Sequence, residues 1–213
     1  MQAHNPPVDF QNEAASIGTN SYSIVSKRSV EKIYHAYEPP FLKPFVPKFK
    51  RRAPLINRGY WLRTIAIENA IKHFLRQPVD RQKIIMNLGC GFDPLPFRMK
   101  YKQLAGEAKF IDVDYAALIR QKLAIIREDV VLSPYVCKES TQLEYGDAQI
   151  TDFGWYCAVG CDLGDIETMS RVFEDTVNLV DCEILFLAEV SITYMPLNKA
   201  DDLLRWTASH EHG

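Results

Sequence analysis

The stretch Ile84-Ile85-Met86-Asn87-Leu88-Gly89-Cys90-Gly91-Phe92-Asp93 joins a short apolar run to a glycine turn, and chemistry is expected at that junction. The apolar head reads as a buried strand, and glycine lets the backbone turn tightly where a side chain would obstruct a ligand. Gly89 and Gly91 supply G-x-G, but Phe92-Asp93-Pro94 stands where a third glycine would fall. A dinucleotide pyrophosphate seated on a helix N-terminus is disfavoured on that ground, and a dehydrogenase with it. A cofactor without phosphates fits better, and S-adenosylmethionine is the leading candidate.

Acidic residues extend the pattern. Asp112 and Asp114 lie 23 and 25 residues beyond Gly89, near the place where a ribose-binding acid follows a glycine loop in doubly wound sheets. Asp114 is equally placed to cap the helix that follows. Asp162 and Glu189 close two further apolar runs, 156–161 and 183–188. Four strand ends aiming polar groups at one edge argue for one shared site more than for four independent caps. Arg58 and Arg63 fall on the first turns of a helix, where the dipole disfavours cations. A carboxylate ligand would account for them, as would exposed arginines with stems lying over apolar neighbours. His35 and His73 read as surface or packing residues, and no metal-ligand spacing appears, so no metal is expected.

These residues need a frame. A chain of 213 residues, 47% hydrophobic, can build one sizeable domain. It has no run of 18 apolar residues, and Met1-Gln2-Ala3-His4-Asn5 lacks the charged-then-apolar layout of a signal peptide. A cytoplasmic protein is the expectation. Cys90, Cys137, Cys157, Cys161 and Cys182 are odd in number and unpaired in spacing, which suits buried thiols. The net charge of -2 gives no global pull toward nucleic acid. Locally, however, Lys43, Lys48, Lys50, Arg51 and Arg52 sit among Phe41, Phe45 and Phe49. That segment suits either a phosphate backbone or a solvated connector.

Along the chain, residues 1–20 read as a polar, irregular lead-in and 21–213 as one domain. Helical spacing covers 24–33 and stops at Pro39-Pro40, and a long helix opens near Asn57 and runs toward Pro78. Strands are expected at 84–88, 108–115, 156–163 and 183–189, with helices at 94–104, 115–127, 165–179 and 197–206 between or after them. The region 132–153 shows little periodicity beyond a loop at Tyr145-Gly146-Asp147. The fold class is therefore α/β with a parallel sheet.

In order along the chain, Ser26-Lys27-Arg28-Ser29, Arg52-Ala53-Pro54-Leu55-Ile56-Asn57-Arg58-Gly59-Tyr60 with Arg63, Asn87-Leu88-Gly89-Cys90-Gly91-Phe92-Asp93, Val113-Asp114, Asp162-Leu163 and Leu187-Ala188-Glu189 resemble the leucine carboxyl methyltransferase family. Gly18-Thr19-Asn20 and Arg51-Arg52-Ala53-Pro54-Leu55-Ile56 are most similar to its tRNA wybutosine-synthesizing branch. Cys90 stands where the family often has alanine, a small change in volume. The resemblance implies a class I, Rossmann-like S-adenosylmethionine-dependent methyltransferase with an N-terminal helical extension. It implies Lys27 and Arg63 at the methionine carboxylate, Gly89 and Gly91 at the backbone approach, and Asp114 at the ribose. Asp162 and Leu163 would meet the adenine, Glu189 the methionine amino group, and Arg58 a substrate carboxylate.

The implied substrate is a carboxylate on a wybutosine intermediate of phenylalanine tRNA. The sister branch would instead methylate the C-terminal leucine of the protein phosphatase 2A catalytic subunit. A non-catalytic, truncated module that only binds cofactor is the third possibility. Three more strands and a substrate-covering region follow in that family. The 213-residue chain is therefore expected to lack part of the sheet, to expose 184–187 as an apolar edge, and to show poor solubility and little methyl transfer.

Overall fold

The computed structural model describes residues 10–78, 80–136, 139–176 and 179–210. Two long helices, α1 (Phe10–Tyr34) and α2 (Pro54–Arg76), precede the first strand. Then come β1 (Gln82–Leu88), α3 (Leu95–Tyr101), β2 (Lys109–Asp114), α4 (Ala116–Glu128), β3 (Thr141–Tyr145), β4 (Ala148–Asp152), β5 (Tyr156–Gly160), α5 (Ile166–Thr176), β6 (Cys182–Leu187) and α6 (Leu197–Ser209). One sheet holds all six strands in the order β3-β4-β5-β2-β1-β6. β5, β2, β1 and β6 run parallel, whereas β3 and β4 form an antiparallel hairpin on the β5 side.

Alternation along the strands divides the core. Ile84, Met86, Leu88, Ile111 and Val113 pack on one face with Met169, Val172 and Phe173 of α5 and Leu203 and Trp206 of α6. Ile85, Phe110, Tyr156 and Ala158 pack on the other with Ile71 of α2, Phe97 of α3 and Ile119, Leu123 and Ile126 of α4. Successive side chains point to opposite faces of a strand, so a run that is apolar throughout must be covered on both sides. The result is a Rossmann-like doubly wound sheet with two added N-terminal helices. β2 and β5 extend the sheet one way from β1, and β6 extends it the other way. The strand order thus reverses between β1 and β6, where an open α/β sheet leaves a crevice.

Several expected boundaries shift. The backbone of residues 10–20 is helical and continuous with α1, where an irregular lead-in was expected. The run Glu13-Ala14-Ala15 contains strong helix formers, which outweighs its polarity. The part of that lead-in at 1–9 lies outside the described residues, as does Cys137. α2 begins at Pro54 rather than Asn57, since proline at the first helical turn forfeits no hydrogen bond. The unassigned region contains β3 and β4, joined at Gly146-Asp147 with Gly146 at φ +58°. β3 is largely exposed, so it carries no apolar alternation to read. β5 and β6 stop at Gly160 and Leu187, which leaves Asp162, Leu163 and Glu189 on the loops beyond the strand ends.

Candidate active site

A cavity of about 1080 Å³ opens over the carboxyl ends of β1, β2, β5 and β6. Of the residues singled out in the sequence, Lys27, Arg63, Gly89, Gly91, Asp114, Asp162, Leu163 and Glu189 all line it. Arg58 does not, and its side chain is exposed. Tyr60 and Arg63 reach the cavity from one face of α2. Arg58, five residues before Arg63, lies about 140° round the helix from it, so both arginines cannot serve one ligand from this helix.

The glycine turn follows from its dihedrals. Gly89 and Gly91 adopt φ +75° and +53°, which L side chains rarely tolerate. The amides of Gly89 and Cys90 both donate to the Val113 carbonyl at 2.9 and 3.1 Å, stitching the turn to β2. The Gly91 amide donates to Asp114 Oδ2 at 2.8 Å, and the Tyr115 amide to Asp114 Oδ1 at 2.8 Å. Asp114 is therefore tied to the glycine turn. The residue at the N-cap of α4 is Tyr115, which makes no side-chain cap. Burial pushes the Asp114 carboxyl above its ordinary value, with the two amides working against that rise. The close neighbour at Gly89 is protein: a Cβ there would overlap the Ser191 side chain.

At one end of the cavity four charges meet. Lys27, reaching in from α1, places its Nζ 2.5 Å from Asp93 Oδ2 and 2.5 Å from Glu189 Oε2. Arg63 lies 3.4 Å from the other Glu189 oxygen. Burial would lower the Lys27 pKa, but Asp93 and Glu189 outweigh it and raise the value. Burial works to raise Asp93, and the Lys27 charge, with Arg98 behind it, holds that carboxyl below its ordinary range. Two cations and two carboxylates form a neutral quartet, matched to a ligand group that itself carries one ammonium and one carboxylate.

The opposite wall is looser. Asp162 is exposed, and its Oδ1 accepts the Gly164 amide at 2.9 Å. Leu163, Leu118 and Met195 give that side apolar surface beside the Tyr145-Gly146-Asp147 turn of the hairpin. Asp165 caps α5 by accepting from the Thr168 amide at 3.1 Å, as its position before that helix predicts.

Three further residues, Ser191, Val190 and Asp93, shape the site without a local signal in the sequence. Ser191 donates from Oγ to the Leu88 carbonyl at 2.6 Å, holding the β6 loop against the end of β1. Val190 before it sits at φ +66°, a strained conformation for a β-branched residue, between Glu189 and Ser191, which both line the cavity. Asp93 was visible only as the residue after the glycine turn, with no local signal that Lys27, 66 residues away, would bind it. Cys90, Cys157 and Cys161 are buried free thiols, and burial pushes Cys157 and Cys161 up to about 12. Such thiols are poor nucleophiles.

Residues 18–208 match the family described as leucine carboxyl methyltransferase. The chain belongs to that family. Proteins called "tRNA wybutosine-synthesizing protein 4" are similar to it: that of Gibberella zeae is 45% identical over 90% of this chain and 19% of the relative. The Emericella nidulans protein is 44% identical over 90% of this chain and 18% of its own length. The Saccharomyces cerevisiae protein is 35% identical over 92% and 32%. The chain thus spans about a fifth to a third of the length of these family members. The matched stretch, 18–208, includes the quartet, the glycine turn and Asp114.

Proposed function

We propose that the cavity binds S-adenosylmethionine and that the chain contributes to methyl transfer onto a carboxylate of a wybutosine intermediate in phenylalanine tRNA. The observation that carries this reading is the charge quartet of Lys27, Arg63, Asp93 and Glu189. It suits the amino-acid end of that cofactor, while Asp114, fixed to the glycine turn, keeps lone pairs for ribose hydroxyls. Arg63 is the more exposed of the two cations and takes the cofactor carboxylate together with Lys27. Glu189 takes the ammonium. Asp162 and Leu163 border the adenine, and the turn at Gly89 and Gly91 presents its backbone to the ligand.

When bound, S-adenosylmethionine supplies an activated methyl group on a sulfonium. The substrate carboxylate is already ionised near neutral pH, so its oxygen forms the new bond to the methyl as the methyl–sulfur bond breaks, and no proton moves. The protein's part is to orient the two reactants and to strip water from the attacking oxygen. No general base is required.

The names of the relatives support tRNA as the substrate and give no support to a phosphatase subunit. The basic segment divides in two. Arg52 is held by Ser26 and Ser29 and stacks on Tyr22 at 4.2 Å, while Lys32 stacks on Phe49 at 4.2 Å. Lys43, Lys48, Lys50 and Arg51 are exposed and free to meet phosphates. The test supplies the full-length natural protein with tritiated cofactor and either hypomodified phenylalanine tRNA or the phosphatase subunit. Label is expected in the tRNA alone, and label in the protein C-terminus alone would reverse the assignment.

A further inference from the structure

Lys122 is fully buried on α4, on the stripe otherwise formed by Leu118, Ile119, Leu123 and Ile126. Its Nζ donates to Asp112 Oδ2 at 2.7 Å and to the backbone carbonyl of Asp93 at 2.8 Å. Asp112, also fully buried, further accepts from the Tyr156 hydroxyl at 3.0 Å and from Asn87 Nδ2 at 3.3 Å. Burying an ion pair is a poor way to gain stability, since desolvation offsets most of the attraction and apolar replacements are often neutral. What this pair does achieve is positional. The Asp93 carbonyl lies at the end of the glycine turn, and the Asp93 carboxylate holds Lys27 at 2.5 Å.

A chain of contacts therefore runs Asp112, Lys122, Asp93, Lys27, Glu189, Arg63 to the cavity, ionic at every step except the Lys122 hydrogen bond to the Asp93 backbone carbonyl. We propose that Lys122 is a positioning residue: by fixing the Asp93 backbone it sets Lys27, and with it the subsite for the amino-acid end of the ligand. The proposal rests on the cofactor reading above. Asp93 Oδ1 makes no hydrogen bond among the described residues, so the aspartate is located by its amide, which donates to the Cys90 carbonyl at 3.2 Å, by Lys122 at its own carbonyl, and by Lys27 at its carboxylate. Without Lys122 the glycine turn would keep its ties to Val113 and Asp114, and Asp93 its amide bond to Cys90, but the Asp93 carbonyl, on the far side of its side chain from that amide, would lose the donor that fixes it. The ribose and adenine side of the cavity would be little altered.

The test compares two probes on the 213-residue chain by calorimetry. S-adenosylhomocysteine carries the amino-acid end, and 5′-methylthioadenosine lacks it. Lys122→Met is expected to weaken the first roughly tenfold or more, the cost of one or two charge-assisted hydrogen bonds, and to leave the second within about twofold. Because Lys122→Met alone strands a buried carboxylate, Asp112→Asn with Lys122→Met provides a neutral pair of nearly the same shape, and the same selective loss is expected. Equal weakening of both probes in both variants, or no weakening of either, would overturn the proposal. Failure of the unmodified chain to bind either probe would overturn the cofactor reading itself, and the proposal with it.

Discussion

Asp114 accepts two backbone amides at 2.8 Å, one from the glycine turn and one from the start of α4, and retains acceptor capacity toward the cavity. Replacing it with alanine removes both the tie and the ribose acceptor. Asp114→Ala is expected to weaken S-adenosylmethionine by roughly 2–4 kcal/mol, read by equilibrium dialysis, and a change below about tenfold would return Asp114 to a purely structural role. Gly89 behaves differently from a simple ligand-approach glycine, because its missing Cβ makes room for Ser191. Gly89→Ala is therefore expected to cost roughly 1–3 kcal/mol in urea unfolding. Ser191→Gly should recover part of that cost; strict additivity of the two changes would show that Ser191 is not the obstruction.

Asp93 gives the pH signature. Its folded carboxyl lies below the ordinary 3.8, so its contribution is fully present above 3.8 and is lost as pH falls through the depressed value. Asp93→Asn is expected to lower stability by roughly 1–3 kcal/mol at pH 7 and to converge with the unmodified chain well below pH 3.8. Parallel curves across that range would remove Asp93 from the acid transition.

At the scale of elements, the four parallel strands were legible because each is an apolar run covered on both faces, and their acidic or glycine ends marked the sheet's working edge. The β3–β4 hairpin was not, since β3 is exposed and carries no pattern for burial to impose. Its turn nevertheless borders the cavity. Lys122 carried a readable signal, a lysine at an apolar stripe position, whose meaning depends on Asp112 arriving from another strand. Asp93 and Ser191 enter the site through contacts with residues distant in sequence, which spacing alone does not encode, whereas the different phases of Arg58 and Arg63 on α2 follow from their five-residue separation.

Across the whole molecule, β6 pairs only with β1 among the described residues and closes one side of the sheet, with Ile184, Leu185, Phe186 and Leu187 half-buried. An apolar strand with an open edge is a template for pairing. The 213-residue chain is expected to self-associate as its concentration rises, seen in sedimentation velocity, and Leu185→Lys should reduce that tendency. A strictly monomeric chain over a wide concentration range would show the edge to be protected. The exposed cations at 43–51 belong to the same scale, since phosphate contacts should weaken steeply with salt. Charge reversal at Lys48, Lys50 and Arg51 that left tRNA methylation untouched would remove that surface from substrate binding.

The functional reading rests on one claim, that the cavity over β1, β2, β5 and β6 takes S-adenosylmethionine. Isothermal titration of the 213-residue chain with that cofactor tests it most directly. One saturable site per chain is expected, abolished or greatly weakened in Asp114→Ala; a folded chain that gives no heat of binding, or binds equally well without Asp114, would contradict that claim.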